Sequence, residues 1–389
     1  MRTITVLGNN SGRNAGDAAI LGNLLNDISN VRADIRFLVP TTNPAFINKH
    51  FGRFNVKPVP LLPWYGALKN FGLPLFISML KTEMVLITDN ILFDRKFYNP
   101  IFNNLSSIAL CAPLCKKKGI PIVLYNASVG PIDFKAGEKA LQKVLDACKL
   151  VITRDEQTRT MLQDLKLDYP EVIIHADCAL NTTPPDKDRL DKIASKEGLF
   201  TNPNGTIGFN VNSYIDNWSM DGQLTRQGFL KIIGGAIDRL IEELNVDVMF
   251  SVTQIMDLKV TRECMTFIRH RDRVRIISNK DYTFEEITGL LQRVEVHTGL
   301  RTHTLIFSAA VNTPMICIRS YPKSVGFMQT IGMDDWIIGF EDLSVDRLAR
   351  IVIQAWERRD EIRNDLRPIV EREKEKARQS AVIISELLG

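Results

Sequence analysis

Arg301 and His303 stand two residues apart in the run Val294-Glu-Val-His-Thr-Gly-Leu-Arg301-Thr-His303-Thr-Leu-Ile-Phe-Ser-Ala-Ala-Val-Asn-Thr-Pro314. The pattern predicts a buried strand over 294–298, a glycine turn, and a helix opening near Thr302 and running to Val311. Pro314 stops the helix, and a strand over Met315–Arg319 follows. A permanent cation and a titratable imidazole then sit where a strand ends and a helix begins. Unpaired N–H groups and the positive dipole end of a helix favour anions at such a place. An imidazole beside a bound anion can also move a proton. An isolated Arg-x-His pair is more simply a surface ion pair and a satisfied polar histidine; the rest of the chain argues against that simpler reading.

Three other strand ends carry groups of the same kind. In Gly8-Asn-Asn-Ser-Gly12-Arg-Asn-Ala-Gly16-Asp17, glycines allow tight turning and close approach of a ligand. A helix is expected to begin near Asp17, which can cap it or accept a proton from a sugar hydroxyl. This loop is neither G-x-x-x-x-G-K-S/T nor G-x-G-x-x-G, so it is not a nucleotide loop. In Val151-Ile-Thr-Arg154-Asp155-Glu156, Arg154 can clamp an anion or pair with Asp155 or Glu156. In Arg319-Ser-Tyr321-Pro-Lys323, two cations flank the end of the strand after the His303 helix, although Lys323 can equally be a solvated loop residue. His175 and Asp177 follow a further strand end. His297 lies inside a strand and reads as core, and His50 and His270 have no supporting context.

Composition narrows the classes. The chain has 389 residues, 45% hydrophobic and 24% charged, with a formal charge of +4. That length suggests two domains, and that charge is too small to argue for nucleic acid, for which no motif is present either. The six cysteines show no metal-ligand spacing and fit reduced thiols in a cytoplasmic protein. A strand beginning at Thr3 leaves no room for a signal peptide, and no apolar run approaches the roughly 20 residues of a spanning helix. The apolar and aromatic segment 61–81, with Trp64, Phe71 and interspersed lysines, is read either as a membrane-surface contact or as a helix packed on the first sheet. There is no G-x-S-x-G and no H-E-x-x-H spacing of a metalloprotease helix, so serine-hydrolase and metal chemistry are disfavoured.

Six strand-like runs are expected in each half. The first set is Ile4–Gly8, Ile35–Val39, Met84–Thr88, Ile122–Asn126, Leu150–Thr153 and Val172–His175. The second is Thr206–Asn210, Val246–Val252, Val274–Ile277, Val294–Thr298, Met315–Arg319 and Trp336–Phe340. Helical periodicity separates them, which predicts α/β architecture with two tandem Rossmann-like doubly wound domains. The expected division is 1–185, then 205–345, then C-terminal helices over 346–389, broken at Pro368 and folding back toward the first domain.

Taken in order, these segments resemble the polysaccharide pyruvyl transferase family over most of the chain. The resemblance rests on the stretched Gly16-Asp17 loop, Arg154-Asp155, Asp177-Cys-Ala-Leu, Gly299-x-Arg301-x-His303 with Ala309 and Pro314, and Tyr321-x-Lys323 before Gly332. It implies a GT-B-like fold with an acceptor-side first domain and a donor-side second one. It also implies phosphoenolpyruvate as donor substrate, no metal or cofactor, and ketal formation on a sugar of a surface polysaccharide or its lipid-linked precursor. Arg301, His303 and Arg154 match donor positions. His303 is the candidate acid and Asp17 the group that orients or deprotonates the acceptor; Arg319, Lys323, Gly16 and Asp177 complete the binding set. The lengthened loop, Thr302 between Arg301 and His303, and Cys178 at a frequent proline position depart from the pattern, the first two bearing on the acceptor. The rivals are a nucleotide-sugar glycosyltransferase of the same fold and a non-catalytic sugar- or membrane-binding protein. A dinucleotide oxidoreductase is disfavoured, because neither half has the glycine fingerprint followed by an acidic residue.

Overall fold

The computed structural model describes residues 1–61, 73–97, 103–215, 224–320 and 322–389. Among them thirteen strands form two wholly parallel sheets. The first contains β1 (Arg2–Leu7), β2 (Ile35–Thr41), β3 (Val56–Pro60), β4 (Met84–Ile87), β5 (Ile122–Ala127), β6 (Cys148–Thr153) and β7 (Val172–Ile174), in the order β3-β2-β1-β4-β5-β6-β7. The second contains β8 (Thr206–Phe209), β9 (Asp247–Val252), β10 (Val274–Ser278), β11 (His297–Gly299), β12 (Met315–Ile318) and β13 (Ile337–Ile338), in the order β10-β9-β8-β11-β12-β13. Central strands such as Met84–Ile87 and Ile122–Ala127 are buried at every position, as expected where helices cover both faces of a parallel sheet. Both sheets are Rossmann-like, and the expected α/β class is the one observed.

All twelve expected strands are present. The thirteenth, β3, has Pro58 and Pro60 in five residues and reads as loop. It pairs with β2 on one side only, and an edge strand tolerates residues that cannot donate to a ladder. Around Arg301 the strand begins later than expected and ends on Gly299, which is therefore a strand residue and not the turn. A Cβ there would lie 2.6 Å from Thr304 Oγ1 and 3.0 Å from Leu305 Cδ2, so glycine lets the next helix pack onto the strand. That helix runs Thr302–Ala310, with Arg301 at its N-cap position.

The chain forms two compact units. One holds Met1–Gly12, Asp17–Cys178 and Glu373–Gly389; the other holds Arg13–Gly16 and Ala179–Arg372. The division falls ahead of the polar, Pro-rich stretch at 181–204, because that stretch is not a linker. It folds as a helix, Lys187–Glu197, whose Leu190 packs against Gly289 and whose Arg189 pairs with Glu286 at 2.6 Å, all within the second unit. The C-terminal helices are likewise shared out. Val345–Glu357 packs in the second unit, while the last turns of Arg359–Leu387 belong to the first, where Arg32 Nη1 donates to the Ser385 carbonyl at 3.2 Å. Pro368 does not break that helix. Buried Leu366, Val370, Ala377, Ala381 and Ile384 hold it continuous through the one missing donor, and the break comes earlier, at Arg358.

Of the segment 61–81, residues 62–72 lie outside the described residues, and so does Tyr321. The remainder is the helix Leu73–Leu80, which buries Leu75 and Met79 against the first sheet. Among the described residues no helix is long and apolar enough to cross a membrane.

His297, in β11, is wholly buried, and neither ring nitrogen has a hydrogen-bond partner. Burial alone pushes its pKa down to about 3. Below the ordinary imidazole value of 6.5 the unfolded chain takes a proton there that the folded chain refuses. Stability from this group is therefore present above that pH and lost as pH falls toward 3. A His297→Leu variant should show a flatter loss of stability over that window, by on the order of several kcal/mol at its acid end. Urea denaturation at a series of pH values checks this; parallel pH profiles for the two proteins would refute it.

Candidate functional site

The candidate residues of the second unit are arranged around one buried carboxylate. Asp257 opens the helix Asp257–Met265 and has no exposure to solvent. It receives Arg301 Nε at 2.8 Å, Arg301 Nη2 at 2.9 Å and the Ser213 backbone N–H at 2.9 Å. The forked pairing fits guanidinium geometry, and the helix N-terminus favours the negative charge. Arg301 is fixed further by its own N–H, which donates to Asn210 Oδ1 at 3.0 Å, and by the Tyr214 ring, 5.2 Å from its guanidinium carbon. Its side chain is only 16% exposed, so this is a partly buried pair and not the surface ion pair that the bare Arg-x-His spacing allows.

His303 sits in the first turn of the helix Thr302–Ala310, its ring 6.2 Å from that of Phe307. The residue against it comes from the other end of the sequence. Residues Arg13–Gly16 are seated in the second unit: the Arg13 carbonyl accepts from Ile255 N at 3.2 Å and Asn279 Nδ2 at 3.0 Å, and Ala15 N donates to the Thr253 carbonyl at 2.7 Å. A Cβ on Gly16 would fall on the His303 ring, so glycine is required for this approach. The helix that follows starts at Ala15, earlier than expected. Asn14 caps it by accepting from Gly16 N at 2.9 Å, which leaves Asp17 inside the first turn and relieves it of the capping role. Thr302 bonds Ser324 at 2.8 Å, tying the His303 helix to the helix Pro322–Thr330 on which Lys323 lies half-buried. Lys323 is thus a helix residue and not a loop residue. Arg319 is exposed and pairs with Glu341.

The first unit gathers a second charged cluster at the carboxyl ends of its strands. Arg154, after β6, pairs with Asp177 after β7, and its Nε donates to Ser128 Oγ at 3.1 Å. Neither alternative partner from the sequence takes it: Ser128 donates to Asp155, and Asp155 caps the helix Glu156–Asp164 through Thr158 N at 2.8 Å. Asp89, after β4, is buried in the left-handed region at φ 60°. It accepts from Asn9 N at 2.7 Å, while its other oxygen has no partner. Burial drives its pKa up to about 7 and Asp177 adds to this, against the Asn9 N–H and the charge of Arg154. His175 bonds Ser380 at 2.9 Å and is held below the usual imidazole range by burial and then by Lys376.

Sequence reasoning did not find Asp89, Ser128, Asn210, Tyr214 or Asp257. The polar run Thr88-Asp89-Asn90 at a strand end was a readable signal. Asp257 had none, since its partner lies 44 residues away with no motif linking them.

A family model described as polysaccharide pyruvyl transferase matches residues 14–320. The amylovoran biosynthesis protein AmsJ of Erwinia amylovora is 20% identical, over 95% of this chain and 96% of its own length. Among solved structures, the Anabaena protein Alr3699/HepE in complex with UDP is similar at TM-score 0.64 and 14% identity, covering 100% of this chain and 99% of its own. The UDP-GlcNAc 2-epimerase of Neisseria meningitidis, bound to UDP-GlcNAc, is similar at TM-score 0.66 and 11% identity, with both chains fully covered. These likenesses carry the fold: two Rossmann-like domains of the GT-B-like class.

Removing one member of a buried pair strands the other. Asp257→Ala should destabilise the second unit by roughly 3–5 kcal/mol, and Asp257→Ala with Arg301→Leu by clearly less than the two single losses combined. Urea denaturation of the three variants tests this, and strict additivity would show that the pair is not coupled.

Proposed function

Because the chain belongs to the polysaccharide pyruvyl transferase family, a family of transferases in polysaccharide biosynthesis, we propose that it moves a pyruvyl group from phosphoenolpyruvate onto a sugar. The product is a cyclic pyruvate ketal on a surface polysaccharide or its lipid-linked precursor, with phosphate released. The observation that carries this reading is Arg301 at the mouth of a helix, oriented by a buried carboxylate, with His303 two residues on.

Phosphoenolpyruvate bears a carboxylate and a phosphate, and a guanidinium binds either. With Nε and Nη2 held by Asp257, Arg301 presents Nη1 to such a group. Lys323 adds positive charge in the second unit, where Arg319 is paired with Glu341; Arg154 and Asp177 serve substrate binding in the first. Protonated His303 delivers its proton to the methylene carbon, which becomes the methyl group, and C2 becomes electrophilic. A sugar hydroxyl, oriented or deprotonated by Asp17, adds to C2. The C2–O bond to phosphate then breaks, phosphate leaves, and a second hydroxyl closes the ketal ring and releases its proton. This sequence calls on no metal or cofactor.

The solved structures similar to this chain include complexes with UDP and UDP-GlcNAc, so a nucleotide-sugar transferase is the competing reading. Thermal stabilisation by phosphoenolpyruvate and not by UDP-sugars, with phosphate released only when an acceptor sugar is present, is the expected result. The opposite pattern would replace the pyruvyl reading with that rival.

Three variants divide the labour. Arg301→Lys keeps a charge for Asp257 but loses the planar fork, so KM for phosphoenolpyruvate should rise at least roughly tenfold while kcat moves less. His303→Gln should lower kcat by about 10²–10⁴-fold while donor binding changes little. Gly16→Ala should destabilise the second unit by roughly 1–3 kcal/mol and lower kcat with it, because its Cβ would lie 2.2 Å from the His303 ring. Steady-state kinetics with direct donor titration decide. A near-normal kcat in His303→Gln assigns the acid to another group.

A further inference from the structure

Two neighbouring helices of the first unit leave apolar side chains in water. Leu73–Leu80 buries Leu75 and Met79, and the adjoining helix Asn104–Lys117 buries Ile108, Cys111 and Cys115 in the same core. Their contact is direct, with Cys115 Sγ 3.9 Å from the Met79 carbonyl oxygen. Yet Leu73 is 51% and Ile77 43% exposed on the first helix, and Leu110 is 69% and Leu114 48% exposed on the second. Each pair is spaced i, i+4 and so occupies one helix face.

On both helices that face continues into lysine: Lys81 follows Ile77 by four residues, and Lys117 and Lys118 follow Leu114 by three and four. The first helix joins β3 to β4 and the second joins β4 to β5. Both therefore run against the strands and parallel to each other. Their C-terminal ends bring Lys81 and the exposed Lys116–Lys118 to one end of a shared apolar strip. Lysines at a helix C-terminus are ordinary partners of its dipole, but that does not account for the leucines beside them.

We propose that this strip is a docking surface for an anionic lipid bilayer. Single exposed apolar residues need no explanation; four on two adjoining helices, bordered by four lysines, match an interfacial element. Such an element lays leucines at the acyl boundary and holds ammonium groups at the phosphate level. A protein partner fits less well, because lysine is depleted from protein interfaces. The strip shares no residue with the candidate site, and the inference is independent of the proposed reaction.

The test is flotation of the full chain with vesicles of phosphatidylcholine alone or mixed with phosphatidylglycerol. The chain should float with the mixed vesicles and not the neutral ones, and added salt should release it. Lys116→Glu/Lys117→Glu/Lys118→Glu should lower partitioning by on the order of a hundredfold. Leu110→Ser/Leu114→Ser should abolish it as well, with an unchanged melting temperature showing that the fold is intact. Equal flotation of wild type and both variants, or none with either vesicle, would overturn the proposal. So would a dimer in light scattering that Leu110→Ser/Leu114→Ser disperses, since a second copy would then be the occupant.

Discussion

Asp257 is closed off from water at the first position of a helix, so its charge has to be balanced inside the second unit. Arg301 does this through two of its nitrogens, and the Ser213 N–H supplies a third donor. Once Arg301 is held, the start of the helix Thr302–Ala310 is held with it, because Arg301 is that helix's N-cap residue and its own N–H is taken by Asn210. His303 inherits its place from this anchor. The proposed cation and the proposed acid are thus set by one buried pair, which fixes the orientation of the guanidinium in advance.

The first unit solves a similar problem with more acid than base. Arg154 faces Asp177 by direct contact and feels Asp155 and Asp89 as well. Burial raises the Asp89 carboxyl to about 7 and Asp177 adds to this, against the Asn9 N–H and the charge of Arg154. Buried charge networks are poor sources of stability and costly to break. Their location here, at the carboxyl ends of parallel strands where α/β sheets place ligands, is the reason to read the cluster as functional.

The glycine-rich loop gains its meaning from the same logic of placement. Its tip, Arg13–Gly16, belongs to the second unit, while the residues on either side belong to the first. The glycine at position 16 is there for lack of a side chain, since His303 occupies the space a Cβ would take. Backbone bonds from Ala15 and Ile255 and the side-chain amide of Asn279 hold that approach.

Much of this was legible in the chain itself, for a local reason. Alternating β-rich runs and helical periods settle an α/β class, and strand-end polar residues such as Arg154, Asp177, Arg301 and His303 announce themselves because a parallel sheet exposes its carboxyl edge. Glycine spacing likewise marked the first loop as a place of close approach. The partners were decided only by tertiary structure. Asp257 and Arg301 are 44 positions apart, and Gly16 meets a ring near residue 300, so no periodicity or spacing connects them. Edge position, not propensity, made a strand of the proline-rich β3. Burial, not sequence neighbours, moved Asp89 and His297 away from their ordinary titration. Local chemistry fixes which groups are offered; the balance of buried charge and excluded volume decides which of them meet.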